Sequence, residues 1–429
     1  MNIRVQGRQI LSGEITPSGS KNSAVALIPA SILFDKPITF KNTPDITDVT
    51  RLISILEHLG SKISWNKETK DLYIDNSNLS YNSVTKENVG NMRGTSLLWG
   101  PMLARFGKVS FEELPGGCTL GTRPLESHYD AFKALSVDIR STVQSVSMNS
   151  RTARASTIWL TEMSPTVTEN VIMLAVGLRG KTTIIGAASE PQVQDLCKFF
   201  IASGAKIEGV GSSVLIISGV PKLNSPKEYE MFSDHYEIAT FLALGAVTGG
   251  EIKINNPLPD LFKHINHVFS KFNIDIKYDK NQAIVEANQK IKINSDDNST
   301  LNIKAQPWPS LPVDMLPLFI PIALASKSGN VLFHNWMYES GLFWTSELSK
   351  LGANVIMADP HRVIINAGNK LFGAKLEAPY IIRAVVAMTM CAMIAKGESV
   401  ILNADALYRG HPNFSNNLKR LGAKIEEFN

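Results

Sequence analysis

Six stretches of this chain are apolar on nearly every face, near Asn22 to Leu33, Gly94 to Ala104, Thr168 to Leu178, Glu237 to Ala246, Asp314 to Ala325 and Arg383 to Ala395. A helix that is apolar all round has to be buried between layers, so each stretch predicts an inner helix. Short strands follow, such as Ile38-Thr39-Phe40, Val109-Ser110-Phe111 and Thr182-Thr183-Ile184-Ile185. Then comes an outer amphipathic helix that ends in a small turn before another strand. The six turns read Leu59-Gly60-Ser61-Lys62-Ile63, Leu135-Ser136-Val137-Asp138-Ile139, Ser203-Gly204-Ala205-Lys206-Ile207, Phe272-Asn273-Ile274-Asp275-Ile276, Leu351-Gly352-Ala353-Asn354-Val355 and Leu421-Gly422-Ala423-Lys424-Ile425. They recur about every seventy residues, a period longer than a solenoid unit. The pattern predicts an α/β protein of six repeated units.

At 429 residues the chain is too long for one ordinary core, and the segment Ser218 to Glu230, with Pro221 and Pro226, is the best linker. It divides three units from three. The strand-like opening Ile3 to Thr16 precedes the first inner helix and is expected to complete the second half. The expected domains are therefore 21–231 and a discontinuous 1–20 plus 232–429. A formal charge of +4, from 43 basic and 39 acidic residues, argues against a nucleic-acid surface. Cys118, Cys197 and Cys391 stand far apart without metal-ligand spacing, which fits a reducing cytoplasm with no disulfide and no structural metal. No signal-peptide core opens the chain, and the longest apolar run is broken by Pro317 and Pro321. A cytoplasmic protein without a membrane span is the expectation.

The polar residues of the inner stretches gather at their N-terminal ends: Lys21-Asn22, Arg93, Thr168-Glu169-Asn170, Asp234-His235-Glu237, Asp314 and Arg383. Ordinary capping accounts for Asp314 or Thr168 alone. It does not account for Lys21, Arg93 and Arg383, because a cation at a helix start opposes the macrodipole. Those three call for a bound anion, and two sets of helix starts can face one interdomain cleft. A second signal is Pro115-Gly116-Gly117-Cys118-Thr119-Leu120-Gly121-Thr122-Arg123-Pro124. Three glycines around one cysteine suit a movable lid, and Arg123 offers a planar fork for an anion beside the thiol. The same residues also fit a glycine-rich turn with a packed cysteine.

With these features the chain resembles the enolpyruvyl transferases, and within them, as a divergent member, the branch that acts on UDP-N-acetylglucosamine. The match runs from Arg4-Val5-Gln6-Gly7 through Ser18-Gly19-Ser20-Lys21-Asn22 and the cysteine lid to the last Leu421-Gly422-Ala423-Lys424-Ile425. The resemblance implies a two-domain inverted α/β barrel of six βαβαββ-type repeats, three per domain. It implies transfer of the enolpyruvyl group of phosphoenolpyruvate to a hydroxyl of a uridine nucleotide, with no cofactor. Cys118, Asp314 and Lys21 match catalytic positions: the thiol as acid for the methylene carbon, the carboxylate as base near the hydroxyl. Lys21, Asn22, Arg123, Arg383 and Arg409 match phosphoenolpyruvate ligands. Arg93, Arg123, Pro124, Leu125, Glu126, Ser164, Asp314 and Met337 match nucleotide contacts.

The chain departs from the family at informative places. The family's Glu-Asn-Arg segment here reads Glu339-Ser340-Gly341, so a carboxylate-binding arginine becomes Gly341. Loss of one such contact costs about 2 kcal/mol unless another group substitutes. Glu162 stands where the family has a lysine for the diphosphate, and repulsion there disfavours a UDP-sugar. Trp308 beside the base segment is either a stacking surface or packing. Two alternatives to the UDP-sugar reaction follow: transfer to the ribose hydroxyl of UMP in nucleoside-antibiotic synthesis, and a non-catalytic nucleotide-binding paralogue that regulates.

Overall fold

The computed structural model describes residues 1–89, 92–116, 124–279, 281–295 and 299–429. The chain divides into two compact units, one comprising Met1–Ser18 and Ser233–Asn429, the other the described residues between Gly19 and Phe232. Both are mixed α/β. The described residues form five four-stranded sheets and one three-stranded sheet. Each four-stranded sheet is antiparallel except for one parallel pair at an edge, for example Gly13–Ile15 beside Ile252–Asn255 and Glu228–Glu230 beside Ile38–Lys41. The second of these pairs shows that the linker expected at 218–230 ends as a sheet strand, because Glu228–Glu230 closes an edge that would otherwise stay unpaired.

The inner helices are apolar on every side and buried accordingly. In His235–Thr248 only Val247 escapes full burial, and Ile382–Ile394 is buried from Arg383 to Met393. Two of the six apolar runs start differently from expectation: Arg93–Leu98 and Val313–Leu318 are 3₁₀ turns leading into Trp99–Phe106 and Phe319–Ala325. Pro317 explains the second, since an α-helix begun at Val313 would use its missing N–H for the first i→i−4 bond.

At the six outer helix ends the same local chemistry recurs. Gly60, Ser136, Gly204, Asn273, Gly352 and Gly422 all have positive φ. The next residue's N–H then reaches back to a carbonyl five positions earlier, as in Ser61 to Leu56 and Ala423 to Leu418, both 2.9 Å. This is the Schellman closure, and it turns the chain sharply from helix into strand.

Close packing between inner helices needs a missing side chain at one place. A Cβ on Gly100 would lie 2.3 Å from the carbonyl oxygen of Asn170. The Gly100 N–H instead donates to Asn170 Oδ1 at 2.7 Å, and Asn170 Nδ2 donates to Ser96 O at 3.0 Å. This clasp fixes the starts of Trp99–Phe106 and Pro165–Ala175 side by side. Among the described residues no helix is long and apolar enough to cross a membrane.

Candidate active site

In the 19–232 unit Lys21 is the first residue of the helix Lys21–Ala30, which Ser20 caps by accepting from the Ser23 N–H at 3.2 Å. The ammonium reaches Asp48 Oδ2 at 2.9 Å, and both side chains are largely buried, at 15% and 9% exposure. A lysine placed against the dipole of its own helix is thus paired with a carboxylate from the first turn of Thr47–His58. Asn22 beside it is half-buried. Sequence reasoning missed Asp48, because an acid opening an amphipathic helix looks like ordinary dipole compensation.

Residues of this unit that the sequence suggests for the nucleotide join in one chain of contacts. Arg93 Nη2 donates to the Pro124 carbonyl at 2.7 Å, which ties the 3₁₀ turn to the segment opening the helix Glu126–Ala134. Pro124 and Glu126 are exposed, whereas Leu125 is buried. His128, two residues further on, lies 3.3 Å from both Asn170 Nδ2 and Thr166 Oγ1. Burial, and then the Arg93 charge, push its pKa down to about 3, so the ring is neutral. Thr166 Oγ1 lies 3.4 Å from the hydroxyl of Ser164, the cap of Pro165–Ala175. Glu162 is exposed and its carbonyl accepts from the Ser164 N–H. Cys118 and Arg123 lie outside the described residues.

Three carboxyl groups of this unit, Glu169, Glu190 and Asp195, are buried. Burial and the neighbouring Glu190 charge hold the Glu169 carboxyl far above its usual pKa. Asp195 is pushed up to about 6 by burial, although it accepts from the Tyr229 hydroxyl at 2.7 Å and the Phe232 N–H at 3.1 Å. One signal in the sequence pointed here: Glu169 is a carboxylate in the polar trio Thr168-Glu169-Asn170 that opens an apolar run.

In the other unit Arg383 is the second residue of Ile382–Ile394 and only 6% exposed. Its guanidinium lies over the Tyr236 ring, 4.4 Å from the centroid, and Nη1 meets His411 Nε2. Arg409 ends the turn Ala404–Arg409 with its guanidinium 5.5 Å from the Tyr380 ring. Asp314 is half-buried in Val313–Leu318, and no side-chain cap bond forms at the start of that turn, so capping does not explain the carboxylate. Trp308 is buried, its ring at 76° to that of His235 with centroids 6.1 Å apart, which fits the packing reading.

The segment around Gly341 is rebuilt rather than truncated. Asn335 Oδ1 accepts from the N–H groups of Met337 and Tyr338, both at 3.2 Å. Its Nδ2 would stand 2.2 Å from a Cβ on Gly341. The asparagine side chain occupies the space through which a side chain at 341 would leave the backbone. Met337 is 37% exposed beside it.

Residues 5–428 match the family model described as EPSP synthase (3-phosphoshikimate 1-carboxyvinyltransferase). The chain is 34% identical over 424 residues to the UDP-N-acetylglucosamine 1-carboxyvinyltransferase of Borreliella burgdorferi, covering 99% of this chain and 98% of that one. It is 36% identical over 424 residues to the enzyme of the same name in Treponema denticola, covering 98% of each. Among solved structures the fold is similar to the enolpyruvyl transferase NikO from Streptomyces tendae, with a TM-score of 0.86 at 19% identity over 99% of this chain and 98% of that one. It is also similar to EPSP synthase from Acinetobacter baumannii, with a TM-score of 0.75 at 14% identity over 99% of this chain and 100% of that one.

Proposed function

We propose, for a chain that belongs to the EPSP synthase family of enolpyruvyl transferases, that the acceptor is a hydroxyl of UDP-N-acetylglucosamine and the donor phosphoenolpyruvate. The protein is an enzyme of the carboxyvinyltransferase class. The observation that carries the acceptor is the near-full-length similarity to relatives named for that substrate. Lys21, Asn22, Arg123, Arg383 and Arg409 hold phosphoenolpyruvate in this reading. Arg93, Arg123, Pro124, Leu125, Glu126, Ser164, Asp314 and Met337 hold the nucleotide. Support for the second set comes from the run of contacts linking Arg93 to Pro124 and His128 to Thr166 and Ser164.

The chemistry is addition followed by elimination. Asp314 takes the proton of the acceptor hydroxyl as its oxygen bonds to C2 of phosphoenolpyruvate, and Cys118 gives a proton to the methylene carbon. The adduct then loses a methyl proton and inorganic phosphate, which restores the double bond. Buried cations stabilise the charge that develops, and exclusion of water protects the adduct. We assign the fold in detail as six βαβαββ-type repeats, three in each half, and the location as cytoplasmic.

A second reading, UMP as acceptor, is favoured by the exposed Glu162 next to Ser164 and by the closed space at Gly341. The deciding experiment measures phosphate release from phosphoenolpyruvate with UDP-N-acetylglucosamine, UMP, UDP or uridine, with Cys118→Ala as control. Release with the UDP-sugar alone supports the first reading and release with UMP alone the second. Release with none of the four overturns both.

A further inference from the structure

His235 has no exposed surface, and among the described residues neither ring nitrogen has a hydrogen-bond partner. Native interiors rarely leave such a group unsatisfied, because each unmade bond costs about 1–3 kcal/mol. Its surroundings offer little. The Tyr236 ring lies 4.1 Å away and presents a face, the Trp308 ring presents an edge, and Asp234 Oδ1 is committed to the N–H groups of Tyr236 and Glu237, both at 2.9 Å. Burial, against the favourable Asp234 charge and with the Arg383 charge, pushes the His235 pKa down to about 4, so the ring is neutral and carries one N–H.

Arg383 shows a similar deficit next to it. The guanidinium uses Nη1 on His411 and its face on Tyr236, yet among the described residues Nε has no hydrogen-bond partner and the side chain is buried. An arginine Nε–H and an imidazole N–H, both buried and both bordering Tyr236, lack acceptors. The complement of two such donors is a small acceptor-rich anion.

We infer that His235 is a binding residue for the donor substrate, giving a ring N–H to the same oxyanion that Arg383 holds through Nε. This rests on the enolpyruvyl transfer proposed above. The second ring nitrogen is left for a water inside the loaded site. Carboxylate and phosphate share the required chemistry, and the probes below separate them.

The test is nitrogen NMR of the full chain labelled at histidine, with the His235 resonances identified by their loss in His235→Gln. Inorganic phosphate and pyruvate are titrated separately. A saturable shift of the His235 ring signal with phosphate assigns the site to the phosphoryl group, and one with pyruvate alone assigns it to the carboxylate. No shift with either, or with phosphoenolpyruvate itself, overturns the inference.

Kinetics give a second readout. His235→Phe keeps the ring volume and is expected to raise the KM for phosphoenolpyruvate about tenfold, the worth of one hydrogen bond to a charged group, with kcat changed less than about twofold. His235→Gln restores a donor and is expected to recover most of that loss. Equal KM values in all three proteins, with only thermal stability altered, would mean a structural histidine. If the Phe variant does not fold, the titration of the unmodified protein still decides. A His235 shift in a protein that releases no phosphate with any acceptor leaves the anion site standing and removes the acceptor reading.

Discussion

The two units solve the same electrostatic problem in opposite ways. In the 19–232 unit a lysine at a helix start is paired in advance with the carboxylate of Asp48. In the other unit an arginine at a helix start is buried against an aromatic face and an imidazole. A compact ammonium is strongly hydrated and needs a counter-charge to be taken from water, whereas a planar guanidinium is more weakly hydrated and stacks. The first arrangement holds a charge ready in fixed geometry. The second sets the charge against an aromatic face and an imidazole in place of a carboxylate.

The largest effect that would break this contrast is expected at Arg383. Arg383→Ala should lower kcat/KM for phosphoenolpyruvate by about 100- to 1,000-fold, matching the roughly 3–4 kcal/mol typical of a buried charged contact. Arg383→Lys should recover little, since a lysine neither stacks nor forks in the same way. Steady-state phosphate release measures both, and near-complete rescue by lysine would mean that charge alone matters.

Next comes Asp48→Ala, which strands a buried ammonium. It is expected to cost about 3 kcal/mol of stability, seen as a lower denaturation midpoint, and to cost more than Asp48→Asn. A change within about 0.5 kcal/mol would show that the ion pair is not held in advance.

The acid interior gives a pH signature. The Glu169 carboxyl is raised in the folded state from 4.5, so between 4.5 and the folded value the native state binds more protons than the unfolded state. Stability therefore falls as pH rises through that window, by up to about 1.4 kcal/mol per unit for one group. Glu169→Gln removes that slope. Its denaturation midpoint should be close to the parent's near pH 4.5 and pull ahead of it as pH rises, and parallel curves would refute the assignment.

The smallest expected effect is at Gly341. Gly341→Ala forces Asn335 off the two N–H groups it caps and should cost about 1 kcal/mol. In the Asn335→Ala background the same substitution should cost less, a coupling that a double-mutant cycle reads.

What the sequence revealed was what is written locally. Inner helices apolar on all sides, turns at Gly60 or Gly422 and cations at Lys21, Arg93 and Arg383 all follow from short-range pattern, and with the family match they yield a mixed α/β transferase. Asp48 as the partner of Lys21, the neutral His128 and the unsatisfied His235 depend on which elements meet. The 3₁₀ start at Val313 depended on Pro317, whose effect on the inner run was not foreseen. Gly341 was visible as a missing arginine, but that Asn335 fills the space is a fact of packing.

The strand Asn2–Gln6 lies between Glu398–Leu402 and Ile425–Phe428, antiparallel to both. This strand therefore pairs with two segments that lie far later in the chain. Residues 19–232 can close while synthesis continues, but Ile3 and Val5, fully buried in the folded protein, stay uncovered until residues 398–428 have been made. A product stopped before residue 398 carries an unpaired apolar strand at its front, and such strands recruit one another.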